Sequence, residues 1–441
     1  MATLRPSQPV SDEARMLSVD EARARILAAF QPLPPTRLPV SRALGRVLAE
    51  QVVAPSPVPP FTNAAMDGYA LRAADIAAAS RERPVWLTVV GELPAGRPAT
   101  LPPLRPGQAV RIMTGAVLPP GADTVVRFED TSEVEQPGAG RTGSTIAVYR
   151  PTPQGENVRL AGEDVPAGHL VLPAGTVLLP AQLGLLSALG LTWVSVHRAP
   201  RVAILATGDE VVDPGWPLLP GQIRNSNNTM VFGLTQLCGG EPTLLGVARD
   251  DPDALRWRLR YADAFDVVLT SGGVSVGDYD LVKDVLRQSG RIELWQVQIK
   301  PGKPLAFGWI GQTPLIGLPG NPVAAFVAFT QFVRPALLLM QGFRNLDLPV
   351  VRARLRSSLE NSGRRHFVRG QLRWEDGEYV VEPVPMQGAG VLSSVAQANA
   401  LIVLPESCRL APAGSLVDVQ VLVLNPLEQP PLPGMTSRVT P

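Results

Sequence analysis

Two cysteines and three histidines are all that this 441-residue chain has of the side chains that most often build disulfides, zinc sites and acid–base triads. Cys238 and Cys408 stand outside any C-x-x-C pair, which argues against a disulfide framework. His169, His197 and His366 are far apart and lack ligand spacing, which argues against zinc and against a histidine triad. These histidines and Cys238 read as structural residues. A metal in this chain is therefore expected to be a hard cation held by oxygen. An excess of charge is missing too: 40 basic residues face 39 acidic ones, for a net +1. That balance offers no footprint for nucleic acid or an anionic membrane, so any anion site must be local. The first residues, MATLRPSQPV, lack the apolar core of a secretory signal. The longest apolar stretch, Pro322 to Met340, is interrupted by Gln331, Arg334 and Pro335, which predicts a buried helix and no membrane span. A cytoplasmic location is the expectation.

Proline and glycine are plentiful, at 46 and 40, with proline at about twice its ordinary share. Both are spread among apolar runs and read as turns and strand ends. A length of 441 suggests about three domains. The segment 17–53 reads as helical, with LSVDEARARILAAF opened by a Ser18/Glu21 capping box and SRALGRVLAEQVV following a proline-rich turn. From about residue 56 short strands broken by turns take over, and AQLGLLSALG forms a short helix that ends on Gly190. Between 199 and 340 apolar strands alternate with helices, which predicts right-handed βαβ units and a mostly parallel sheet. One of these helices is expected from about Asn228 to Cys238, another behind Asp251-Pro252, and a third capped by Asn321. Residues 349–424 return to short strands and suggest a small β-barrel or sandwich. The expected fold class is multidomain α/β plus β. Its parts are a linker-like helical piece (14–55 and 156–198), a β-rich domain (56–155), the α/β domain (199–344) and a C-terminal β-domain (345–425).

In an open α/β sheet, ligands bind beyond the carboxyl ends of the strands. Three strands here run into polar, glycine-rich loops: ATGDE (206–210), TSGGVSVGD (270–278) and GLPGNP (317–322). Backbone N–H groups near helix starts suit phosphate or another oxyanion. None of the loops is a P-loop or GxGxxG, which removes support from kinase-like and dinucleotide readings. The pairs Asp209/Glu210, Asp250/Asp251 and Asp278/Asp280 gather at the same edge, and carboxylates beside an oxyanion cradle suit Mg²⁺ on phosphate oxygens. KPGKP brings Lys300 and Lys303 together, two ammonium groups able to neutralise a phosphate or a tetrahedral dianion. MDGYA and RIMTG set Asp67 and Thr114 near turns. Each feature also has a plain structural explanation: Asp251 and Asp278 as helix caps, Asp67-Gly68 as a turn, and the lysines as a solvated surface. Likewise Asn321-Pro322 suits helix initiation, and Ser271 and Ser275 can bond within their own loop. The functional reading rests on their convergence at one sheet edge.

The strings FTNAAMDGYA, RIMTGA, GENVR, GEDV, ATGDE, GQIRNSN, RDDPDAL, SGGVSVGDYD, KPGKP, GLPGNPV and GRRHFVRG, in this order, resemble the molybdopterin molybdenumtransferases, a family that includes the C-terminal domain of gephyrin. The resemblance runs from about residue 17 to 424. It implies a homodimer whose cleft joins the α/β domain of one subunit to the MDGYA domain of the other. It also implies a Mg²⁺-dependent reaction in which molybdate is inserted into adenylylated molybdopterin and AMP is released, with possible contact to the molybdopterin adenylyltransferase. Carried over by motif, Asp67, Thr114, Glu210, Lys300 and Lys303 look catalytic, and Glu210, Asp250 and Asp280 look like the metal set. Asp164, Ser271, Gly272, Gly273, Ser275, Pro319, Gly320, Asn321, Ser393 and Ser394 look like substrate contacts. The chain departs from the family pattern at Leu160-Ala161, at Arg127-Phe128 and at His366. A gephyrin-like scaffold, another pyrophosphate-cleaving enzyme on the same α/β module and a tungstate-preferring paralogue are the competing readings.

Overall fold

A computed structural model describes residues 16–138, 140–273 and 290–423. These described residues form two compact units, one falling within 1–49, 175–179 and 194–441, the other within 50–174 and 180–193.

In the first unit a six-stranded sheet has the order Glu241–Ala248, Arg201–Thr207, Val267–Ser271, Thr313–Leu318, Pro304–Ile310, Gly290–Gln296. The first four strands are mutually parallel and the last two pair antiparallel. Alternation assigns the two faces of this sheet: Val202, Ile204, Val267 and Leu269 enter one core, while Ala203, Leu205 and Val268 enter the other. Burial on both sides is why RVAILAT and VVLTS read as unbroken apolar runs. Helix Ser226–Leu237 begins two residues earlier than its apolar pattern suggests, because the Asn225 side chain accepts from the Asn228 amide. Helix Pro252–Leu259 starts as expected, with Asp251 accepting from the Ala254 amide.

The apolar stretch Pro322–Met340 is helical and 94% buried inside the fold, so its membrane-like length serves a core. Two of its polar interruptions have partners outside the helix: Gln331 donates to Gln420 and Arg334 Nη1 to the Leu346 carbonyl. Asn321 precedes this helix without capping it through its side chain, contrary to expectation. Pro322 has no N–H to offer, and the Val323 amide is already taken by the Ala389 carbonyl.

The C-terminal strands close into a five-stranded barrel. Arg365–Glu375 pairs with Glu378–Pro383, then Val350–Leu355, Leu416–Val421 and Ala400–Leu404 follow, and the last returns to Arg365–Glu375.

The expected second helix at 41–53 is absent. A 3-10 turn, Val40–Arg42, is followed by Gly45 at φ +74° and by bridges from Val47 to Val177 and from Leu48 to Val196. Amides of Gly45, Leu48 and Ala49 bond to Leu178, Thr176 and Ser195 instead of to the preceding turn. The apolar spacing there is real, but cross-strand partners outbid local helix bonds. Among the described residues of the predicted linker piece only Val19–Leu27 and Pro180–Ala188 are α-helical, and the Ser18/Glu21 capping box is present at the first.

In the second unit a five-stranded sheet has the order Thr124–Arg127, Gly68–Leu71, Gln108–Ile112, Val85–Leu93, Thr145–Val148. Gly68 is required by the pairing: a Cβ there would sit 1.9 Å from the Val126 carbonyl oxygen.

Candidate active site

The carboxyl ends of three parallel strands open into one cavity of about 860 Å³. Ala206, Thr207, Gly208 and Glu210 line it from the first strand, Ser271, Gly272 and Gly273 from the second, and Pro319, Gly320 and Asn321 from the third. Residues 223–227 and 302–304, with Asp250 and Gly390, add to the wall. Close approach of the loops depends on Gly272, at φ +88°, where a Cβ would stand 2.8 Å from the Thr207 carbonyl oxygen. Asn227 ties two of the loops together by donating to the Gly320 carbonyl at 2.8 Å.

One wall is acidic. The Asp250 amide donates to the Asp209 carboxylate at 3.1 Å, and the Asp209 amide faces Asp250 Oδ2 at 3.4 Å. The Asp250 carboxyl is pushed above the usual carboxylate range by burial, then by the negative charges of Asp209 and Glu210. The other wall is basic, with Lys303 lining the cavity. Lys300 is half-buried, sits opposite His366 in a short parallel pairing, and is not among the lining residues.

A group that sequence reasoning passed over stands behind this wall. Arg369 is fully buried, and it donates from Nε to the Ser394 hydroxyl (3.2 Å) and from Nη2 to the Gly388 carbonyl (3.2 Å). Its Nη1 is buried without a hydrogen-bond partner, as is Nδ1 of His366. Burial pulls the Arg369 pKa down to about 10. His366 is pulled to about 4 by burial and then by the charges of Lys300, Arg369 and Arg364. Such a cluster of cations, with orphaned polar atoms, is a place for an anion. Within GRRHFVRG no local feature sets Arg369 apart; its burial and its bond to Ser394 of the helix Leu392–Gln397 distinguish it.

Ser394 is thus buried on Arg369, whereas Ser393 is exposed. Ser275 and Asp280, together with Asp278, lie outside the described residues. Asp67, Thr114 and Asp164 belong to the second unit, where Asp67 and Thr114 meet: the Thr114 amide and hydroxyl both donate to Asp67 Oδ1 at 2.7 Å. These bonds hold the Asp67 carboxyl below its usual pKa. Asp164 is exposed, its amide bonded to the Val58 carbonyl. Arg127, one of the departures from the family pattern, is engaged by Asp130 at 3.0 Å.

Among the described residues no cluster of three or more His, Cys, Asp or Glu could hold a metal unaided. The two carboxylates that line the cavity, Glu210 and Asp250, are oxygen donors of the kind a hard cation such as Mg²⁺ takes. That ion keeps several waters and is completed by substrate oxygens. Burial raises Asp250 most, and the part of the rise that comes from Asp209 and Glu210 is what a cation would relieve.

Three family descriptions match in order: the MoeA N-terminal region (domains I and II) at residues 17–190, a probable molybdopterin binding domain at 203–338, and the MoeA C-terminal region (domain IV) at 352–422. Molybdopterin molybdenumtransferase 2 of Mycobacterium tuberculosis is 38% identical over 412 residues, covering 92% of this chain and 99% of that protein. Molybdopterin molybdenumtransferase of Nostoc sp. is 41% identical over 390 residues, with 87% of each chain covered. The crystal structure of the molybdopterin biosynthesis MoeA protein from Pyrococcus horikoshii superposes with a TM-score of 0.79 at 34% identity, covering 92% of this chain and 99% of that one.

Proposed function

We propose, given that this chain belongs to the molybdopterin molybdenumtransferase (MoeA) family, that it inserts molybdate into adenylylated molybdopterin and releases AMP. The observation that carries the reading is the cavity with an acidic wall at Glu210 and Asp250 and a basic wall at Lys303. A pyrophosphate group suits such a cavity, where the glycine-rich loops at Ser271–Gly273 and Pro319–Asn321 let backbone approach its oxygens.

Glu210 and Asp250 would hold Mg²⁺, with Asp280 as the third carboxylate that the family motif supplies. When bound, the ion neutralises charge on the phosphate oxygens of the departing AMP. Lys303 would put positive charge where a tetrahedral dianion and the leaving phosphate need it, and Lys300, outside the lining, would add to that field at longer range. Arg369, fixed by Ser394, extends that positive field from behind. Asp67, ionised and oriented by Thr114, would accept a proton or hold a water during the reaction. The reading includes a homodimer, a cytoplasmic location, and substrate delivery by a molybdopterin adenylyltransferase.

The test is AMP release from adenylylated molybdopterin with Mg²⁺, with and without molybdate. Molybdate-dependent release that Lys303→Ala abolishes supports the reading. Absence of release from folded protein with molybdate or with tungstate sinks it.

A further inference from the structure

The strands that carry Asp67 and Thr114 hold a second, buried arrangement. Gly68–Leu71 pairs antiparallel with Gln108–Ile112, with Gly68 opposite Ile112 and Tyr69 opposite Arg111. Glu133 arrives on a 3-10 turn, Ser132–Val134, and is 5% exposed. Its carboxylate is saturated. Arg111 Nη1 donates to Oε1 at 2.6 Å, the Gly138 amide to Oε1 at 2.6 Å, the Tyr69 hydroxyl to Oε2 at 2.8 Å, and the Gly140 amide to Oε2 at 3.2 Å. Arg111 also lies over the Phe128 ring, 4.4 Å from its centroid, and reaches the Tyr69 hydroxyl at 3.2 Å.

This places a guanidinium close to Asp67. Asp67 stands in the bend just before the strand and two residues from Tyr69, the residue opposite Arg111, a position that continues the diagonal of the pair. Such neighbours stand about 7 Å apart at their Cα atoms, within reach of a long side chain. The Asp67 carboxylate already feels the Arg111 charge. Yet Arg111 is turned to Glu133, and the described hydrogen bonds to the Asp67 carboxylate are the two that Thr114 makes to Oδ1.

We propose that Glu133 is a positioning residue for Asp67: it captures Arg111 and so keeps the guanidinium from closing onto the Asp67 carboxylate. The inference rests on the reading of Asp67 given above. With Glu133 in place, Asp67 is ionised, oriented on one oxygen and open on the other. Without it, Arg111 loses its buried counter-charge and Asp67 becomes the diagonal carboxylate within reach, so the open oxygen is occupied.

The experiment is a set of four variants, Glu133→Gln, Glu133→Asp, Arg111→Met and the double Glu133→Gln/Arg111→Met. Molybdate-dependent AMP release is read as kcat and KM across pH, alongside thermal unfolding. Glu133→Gln is expected to lower kcat by about tenfold or more with a smaller change in KM, because a misplaced or blocked group acts on the chemical step. Its acidic limb moves to lower pH as the guanidinium pairs with Asp67. The double variant is expected to regain most of the lost kcat, and Glu133→Asp to keep most of it. A double variant no better than Glu133→Gln, with both folded, overturns the proposal, since a merely structural role makes the two losses add. If Glu133→Gln does not fold, Glu133→Asp decides: a folded, charge-retaining variant with the full loss of kcat also overturns it. Asp67→Ala run in parallel separates the two levels, because full activity there defeats the reading of Asp67 itself.

Discussion

Thr114 gives both its amide and its hydroxyl to a single oxygen of Asp67, each at 2.7 Å. Two motifs 47 positions apart in the chain are thereby one structural unit. Donors to the ionised form favour it, which is why the Asp67 carboxyl lies below its usual pKa despite some burial. In Thr114→Val the hydroxyl is lost while the amide remains. The Asp67 pKa should rise toward the ordinary value, and the acidic limb of the pH–rate profile for AMP release should move up with it. An unmoved limb would mean that Asp67 is not the group that titrates.

The basic wall makes a quantitative prediction. Lys303 lines the cavity, whereas Lys300 is half-buried beside His366. Lys303→Ala is expected to lower kcat by roughly 100-fold, the scale for removing one oxyanion-stabilising group. Glu210→Gln should instead raise the Mg²⁺ concentration needed for half-maximal rate. A magnesium titration of both variants separates the roles, and equal Mg²⁺ dependence in the two would contradict the assignment.

Stability should depend on pH through His366. Its folded pKa is pulled to about 4, below the unfolded value of 6.5. The unfolded state therefore binds the extra proton first as pH falls. The contribution is fully present above pH 6.5 and is lost between 6.5 and 4. A shift of that size corresponds to about 3 kcal/mol. Glu133, held near 2 against an ordinary 4.5, adds a further loss as pH falls through that lower range. Denaturant unfolding of His366→Gln against pH should show the upper step flattened.

Two glycines should respond in opposite directions. A Cβ on Gly68 would strike the Val126 carbonyl oxygen at 1.9 Å, so Gly68→Ala is expected to cost about 3 kcal/mol or more. Gly184 lies in helix Pro180–Ala188 with nothing within 4 Å of a new Cβ. Gly184→Ala should stabilise by about 0.5–1 kcal/mol, because alanine loses less freedom in a helix. Melting temperatures of the two variants check both signs.

Much of this protein could be read from its order of residues. Local rules were enough for the Ser18/Glu21 box, the Asp251 cap, the parallel strands with their apolar runs, and the glycine-rich loops that line the cavity. Each depends on neighbours within a few positions, where spacing and side-chain chemistry act directly. Other features were settled by contacts between distant segments. Residues 41–53 have helical spacing, yet bonds to residues 176, 178 and 195 draw them into bridges. Asn321 has the chemistry of a cap, yet its side chain makes no cap bond, and the Val323 amide of the first turn goes to the distant Ala389 carbonyl. Arg369 and Glu133 carry no local mark at all. Their roles come from burial and from partners 25 and 64 residues away, at Ser394 and Tyr69. A short-range pattern states what a residue is able to do; only the packed chain fixes the dielectric around it and the group that reaches it first.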